Sequence, residues 1–149
     1  MRFTDILKKA FVGGEWLVGY RKRGEEKYSI IPLEKGWIAD PFLFEYKGDH
    51  YLFVEYVNGK KGEIAYFKFI DNKPVFQKTI ISESYHLSYP CIFSHGDDIY
   101  IIPESADNQS VDLYRAITFP DQWEKVCQLI RGTFFDTTFV SYQGDDYLI

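Results

Sequence analysis

Apolar residues along this chain gather into strand-length runs separated by pairs of turn-forming residues, and the pattern repeats. Three runs open on related phrases: Ala39-Asp40-Pro41-Phe42-Leu43-Phe44, Ser88-Tyr89-Pro90-Cys91-Ile92-Phe93 and Phe135-Asp136-Thr137-Thr138-Phe139-Val140. Each leads to a Gly-Asp turn (Gly48-Asp49, Gly96-Asp97, Gly144-Asp145) and then to a second, Tyr-containing run. Pro90 follows Pro41 by 49 positions, and Thr137 follows Pro90 by 47. A strand-rich repeat of roughly 40–50 residues predicts β-propeller blades.

The first copy predicts strands over Pro41 to Tyr46, His50 to Tyr56, Glu63 to Phe69 and Pro74 to Ile81. Gly48-Asp49, Asn58-Gly59 and Asp71-Asn72 separate them, residue types that tolerate positive φ in hairpin turns. The second copy predicts Pro90 to Phe93, Ile99 to Ile102, Ser110 to Arg115 and Trp123 to Ile130, with Phe119-Pro120-Asp121-Gln122 as a turn that could begin with a helical twist. The register extends further: Glu55 and Glu104 each follow their proline by 14, and Tyr66 and Tyr114 by 25 and 24. Each blade is then a four-stranded antiparallel meander with the proline-led strand innermost.

Ahead of the repeats, Phe3, Ile6, Leu7, Ala10 and Phe11 fall at helical spacing and predict a short amphipathic helix over residues 1–12. Trp16 to Tyr20 and Tyr28 to Ile31 read as two strands before the first full copy, with Pro32 ending the pairing. The resulting division is 1–35 for the helix and latch strands, 36–84 for blade 1, 85–132 for blade 2 and 133–149 for the start of blade 3. About two and a half blades of a five-bladed ring are accounted for, so the expectation is an all-β, partial propeller whose open sheet edges invite association.

Composition supports sheets. Among 149 residues there are 13 Phe, 12 Tyr and 3 Trp, a bias that suits pleated, half-buried surfaces and also sugar-stacking sites. A net charge of −5 argues against a nucleic-acid partner. Arg21-Lys22-Arg23 is balanced by Glu25 and Glu26 and reads as a solvated turn. Cys91 and Cys127 each sit in an apolar run, where a thiol is usually a small buried hydrophobe. The three histidines show no metal-ligand spacing, and neither a metal nor another cofactor is expected. No stretch has the length of a membrane span or an apolar signal region, so the expectation is a soluble, cytoplasmic chain.

Asp40 and Asp136 occupy the same repeat position at the start of the innermost strand, which in a propeller faces the axial funnel. Two carboxylates converging there are what glycoside hydrolysis uses, one as base and another tuning or donating a proton. An Asp before Pro or Thr also serves simply to shape a strand entry. Tyr89 holds that position in the second copy, able to stack on a ligand ring or to fill the channel. Glu104 lies in an otherwise apolar strand and suits either a ligand contact or a buried pair with Arg115. His86, just before the second inner strand, could bond a substrate hydroxyl or pin the loop. No phosphate-binding Gly-rich loop and no nucleophile elbow is present.

Trp37-Ile38-Ala39-Asp40-Pro41-Phe42, Tyr85-His86-Leu87-Ser88-Tyr89-Pro90, Ile102-Pro103-Glu104-Ser105, Leu113-Tyr114-Arg115-Ala116, Phe119-Pro120-Asp121-Gln122-Trp123 and Asp136-Thr137-Thr138 form an ordered set. Together they resemble the propeller domain at the N-terminus of plant glucosamine inositolphosphorylceramide transferases and its bacterial relatives, from about Trp16 onward. More remotely, the chain is similar to the five-bladed glycoside hydrolases of family 43. That similarity implies Asp40 as base and Asp136 as the modulator of an acid's pKa, while the family's general acid, a Glu of a later blade, has no counterpart here. In the transferases, sugar transfer is expected from a separate C-terminal domain.

The leading expectation is a carbohydrate-associated propeller domain that binds a saccharide or sugar conjugate around Asp40, Tyr89, Glu104 and Asp136, with His86 and Arg115 contributing, and that is catalytically incomplete. One alternative is the front part of a glycosidase-like enzyme. Another is a scaffold for protein partners.

Overall fold

A computed structural model describes residues 8–12 and 15–149, with side chains described from Trp16 onward. The described residues form thirteen strands in chain order. β1 (Lys8–Val12), β2 (Glu15–Tyr20) and β3 (Ser29–Ile30) make a three-stranded sheet. β4 (Trp37–Tyr46), β5 (Asp49–Val57), β6 (Gly62–Ile70) and β7 (Lys73–Ile81) make the first four-stranded antiparallel sheet, paired in chain order. β8 (Ser88–His95), β9 (Asp98–Ser105), β10 (Ser110–Thr118) and β11 (Gln122–Arg131) make the second, again in chain order. β12 (Phe139–Tyr142) and β13 (Asp145–Leu148) form a hairpin.

The repeat is therefore a structural one: every strand expected for the first two copies lies inside an observed strand. The turns explain the pairing. Lys47-Gly48, Asp71-Asn72 and Gln143-Gly144 are two-residue loops in which both residues have positive φ (51° and 82°, 49° and 62°, 53° and 91°). Such backbone is required by the type I′ turn, whose twist matches that of the flanking strands. In Gly96-Asp97 only the glycine is left-handed, at 60°.

The N-terminal helix is corrected in part. Residues 1–7 lie outside the described residues, but Lys8–Val12 is a strand, paired with β2 from Lys8↔Gly19 to Val12↔Glu15. An isolated helix of this length is marginal in water, whereas pairing with β2 gives the backbone groups partners and leaves Phe11 and Val12 in a conformation they favour. No helix among the described residues is long and apolar enough to cross a membrane.

Alternation along the strands sets the packing. Tyr51 and Phe53 of β5 and Ile64 and Tyr66 of β6 join Ile92, Ile99, Ile101 and Tyr114 in a core between the two four-stranded sheets. The intervening residues Leu52, Val54, Ala65 and Phe67 point the other way and form a second core with Val18, Ile31 and Ile38, against the N-terminal sheet. With side chains alternating at period two, both faces of β5 and β6 are thus covered. On the far side of the second sheet Phe93 stacks on Phe139 of β12, ring centroids 3.9 Å apart. The β10–β11 turn, which holds a cis peptide between Phe119 and Pro120, inserts the Phe119 ring among Phe44, Tyr46, Tyr51 and Phe53. Tyr142, Tyr147, Leu148 and Ile149 leave apolar surface exposed on the β12–β13 hairpin and just beyond it.

Candidate functional site

Asp40, Tyr89 and Asp136, equivalent in the repeat, share one unusual backbone conformation: φ is 46°, 44° and 51°. The first two lie at matching irregularities, where the β4–β5 ladder shifts between Ala39 and Phe42 and the β8–β9 ladder between Ser88 and Cys91. Asp visits left-handed backbone fairly readily, but a bulky residue such as Tyr does so at a cost. The conformation at Tyr89 therefore comes from the architecture of the position and not from the local hydrogen bonding available to an Asp.

A chain of contacts joins Tyr89 to Asp136 and reaches β4 at Phe42. The Phe42 and Tyr89 rings meet edge to face at 4.9 Å between centroids. Tyr89 Oη and Thr138 Oγ1 lie 3.0 Å apart, and the Thr138 hydroxyl donates to the Asp136 carbonyl oxygen at 3.0 Å. With that hydroxyl proton committed, Tyr89 is the donor to Thr138. The Asp136 backbone N–H donates to Glu104 Oε2 at 3.0 Å. Tyr89, Glu104 and Asp136 are thus brought into one cluster, and Asp40 lies two residues from Phe42 on the adjoining strand.

The other two residues expected at the site sit elsewhere. His86 Nδ1 accepts the Gly62 backbone N–H at 2.9 Å, and Nε2 lies 2.9 Å from Glu55 Oε1. The first bond requires Nδ1 to be bare, so the proton is on Nε2 and is donated to Glu55. Both ring nitrogens are engaged, and His86 clasps the segment entering the second sheet to the first. Glu55, only 6% exposed, is the repeat equivalent of Glu104. In both cases a glutamate ending the second strand of a sheet reaches the chain that enters the next.

Of the two readings open for Glu104, a ligand contact or a buried pair with Arg115, the pair is not formed. Arg115 lies opposite Glu124 in the β10–β11 ladder and its guanidinium bonds that carboxylate at 2.6 Å, in an exposed position. Glu104 pairs with Val111 in register, four residues from Arg115 and so about 13 Å along the strand. The buried setting expected for Cys127 is likewise corrected: Cys91 is buried but Cys127 is exposed, because much of β11 faces outward.

One cluster was not anticipated. Asp112 of β10 is fully buried, and its Oδ2 accepts hydrogen bonds from Lys125 Nζ (2.7 Å), Ser110 Oγ (2.9 Å) and Tyr85 Oη (3.1 Å), while Oδ1 has no partner among the described residues. Burial works against the Lys125 ammonium, but its bond and charge pairing with Asp112 outweigh it and hold its pKa above the ordinary value. Beside it Tyr114 donates to Glu83 at 2.8 Å, and burial, with that bond, pushes its phenol well up. The signal was legible: Asp112 stands two residues before Tyr114, where the first copy has Ile64 two before Tyr66. The described residues contain no grouping of His, Cys, Asp and Glu suited to a metal ion.

Residues 26–149 match the family described as glucosamine inositolphosphorylceramide transferase 1, N-terminal. The chain is 33% identical over 121 residues to glucosamine inositolphosphorylceramide transferase 1 of Arabidopsis thaliana, covering 78% of this chain and 16% of that protein. The protein of the same name from Oryza sativa subsp. indica is also 33% identical over 121 residues, covering 76% and 16%. The chain thus spans about a sixth of the length of these relatives. No solved structure matches.

Proposed function

This chain belongs to the family of glucosamine inositolphosphorylceramide transferase N-terminal domains, and on that premise we propose that it binds a saccharide or sugar conjugate at the cluster of Asp40, Tyr89 and Asp136. The observation that carries the reading is the left-handed backbone repeated at these three equivalent positions. Strained backbone at non-glycine residues collects at sites where a side chain must be held in one direction. Two of the three present a carboxylate, which accepts hydrogen bonds from sugar hydroxyls or pairs with an ammonium, and the third presents an aromatic ring. The sheets are read as propeller blades, a reading supported by the four-stranded meanders stacked in chain order and by the packing of Phe42 on Tyr89 at the first strand of each.

The relatives' name supplies the probes. Saturation-transfer NMR with glucosamine and with inositol phosphate tests binding of each to the 149-residue chain. Binding that falls about tenfold or more in Asp40→Asn and Asp136→Asn variants supports the site. Binding to neither probe, or binding that ignores both substitutions, counts against it and leaves a scaffold role for protein partners as the better account.

A further inference from the structure

We infer that Glu104 is a positioning residue for Asp136, acting with Tyr89 and Thr138 to hold its backbone so that the carboxylate is presented outward. The inference rests on the binding role proposed above for Asp136. The two backbone groups of Asp136 are both taken by side chains: Glu104 Oε2 accepts its N–H, and the Thr138 hydroxyl donates to its carbonyl. Tyr89 in turn fixes the Thr138 hydroxyl at 3.0 Å. The bond from Glu104 is charge-assisted and therefore stronger than one between neutral groups. It spans 32 residues and joins the end of β9 to the chain entering β12.

The Asp136 carboxylate itself makes no hydrogen bond or ion pair among the described residues, and the residue is exposed. The local hydrogen bonds are spent on fixing the peptide units on either side of a left-handed residue, φ 51°. A carboxylate needed only to shape a turn would bond the neighbouring backbone itself. Here the neighbours do that work, and the acid is left available. Glu104 is thereby separated from the ligand contacts: one of its oxygens serves the Asp136 amide, and its effect on a ligand passes through Asp136.

The test uses the isotopically labelled 149-residue chain, with glucosamine as the binding probe. Glu104→Ala should move the Asp136 amide proton resonance upfield and weaken glucosamine binding about tenfold, the scale of one lost charge-assisted bond, while the amide resonances of the two four-stranded sheets stay where they are in the parent chain. Glu104→Gln, which still offers an oxygen to the same N–H, should restore most of the affinity. Should Glu104→Ala fail to fold, Thr138→Val removes the other restraint and should also weaken binding. An unmoved Asp136 resonance, or unchanged affinity in Glu104→Ala while Asp136→Asn abolishes binding, overturns the positioning role and leaves the binding site intact. Unchanged affinity in Asp136→Asn overturns the binding site instead, and the amide resonance then decides on the brace alone.

Discussion

Tyr66 donates its phenolic hydrogen to Asp121 Oδ1 at 2.8 Å, tying the third strand of the first four-stranded sheet to the β10–β11 turn of the second. Lys78 Nζ lies 3.1 Å from the same oxygen. Tyr66→Phe removes the bond without orphaning the carboxylate, which keeps Lys78 and solvent. The loss should be about 1–2 kcal/mol in urea unfolding, the range for a bond to a charged group that remains partly hydrated.

The phenols give the protein an alkaline limit. Burial raises the pKa of Tyr51, Tyr66, Tyr85 and Tyr114, helped in Tyr66 and Tyr114 by bonds to Asp121 and Glu83. A raised folded-state pKa stabilises fully below the unfolded value, about 10 for Tyr, and that stability is lost as pH rises beyond it. Asp121 is shifted the other way, first by the Tyr66 bond and then by Lys78, with burial opposing. Its contribution is present above about pH 4 and lost as pH falls through the depressed value. Unfolding followed across pH should show a plateau with loss at both ends, and Tyr114→Phe should flatten the alkaline limb.

The two cysteines should separate cleanly in a thiol-reagent titration. Burial raises the Cys91 pKa, only partly opposed by the Phe139 N–H that points at its sulfur from 3.4 Å. Cys127 is exposed. One thiol should react at once in the native protein and the second only with unfolding. Cys127→Ser should abolish the fast phase, and two fast thiols would contradict the packing of β12 on β8.

Gly62 is a point where the backbone of the first four-stranded sheet meets the segment that enters the second. Its N–H bonds His86 Nδ1 and its carbonyl accepts from the Leu87 N–H. A Cβ there would overlap the Leu87 carbonyl oxygen and crowd the His86 ring at 2.9 Å. Gly62→Ala should cost about 2–3 kcal/mol, typical of overpacking a tight site, and should release His86. Displaced His86 ring-proton resonances in the variant check the second part.

The Asp112 cluster should resist piecemeal removal. Lys125→Met leaves a buried carboxylate without its counter-ion, and about 3–5 kcal/mol of destabilisation is expected. Replacing Asp112 and Lys125 together by Ile and Met copies the apolar solution that the first sheet already uses at Ile64 and should recover most of that loss. Denaturation of the single and double variants measures the difference.

Much of the strand layout was legible because the turns announce themselves: Gly-Asp and Asp-Asn pairs bounded each run, and the 49- and 47-residue spacing fixed which strands correspond. The shared position of Asp40, Tyr89 and Asp136 was legible for the same reason, but its left-handed backbone was not, since nothing in the composition of Ser88-Tyr89-Pro90 announces positive φ. Partnerships between strands were harder to foresee. Glu104 and Arg115 looked like natural partners by charge, yet cross-strand register, shifted by irregularities in β10, sets Arg115 against Glu124. Lys8–Val12 carried a helical pattern that only a neighbouring strand could override. Tyr85, Glu83 and His86 lie between sheets, where periodicity carries no information.

The double packing of β5 has a consequence for how this chain can change length. Tyr51 and Phe53 serve one neighbour and Leu52 and Val54 the other, so one inserted residue midway along the strand reverses the faces of everything after it. An insertion just before Phe53 would turn that ring away from Phe119 toward the N-terminal sheet and carry Val54 out of the second core, so both cores would lose packing together. The Lys47-Gly48 turn carries no such burden, since both residues are exposed and the space around Gly48 is open. Changes of length are therefore tolerated at hairpin tips such as this one, while β5 and β6 are locked in length by having no spare face.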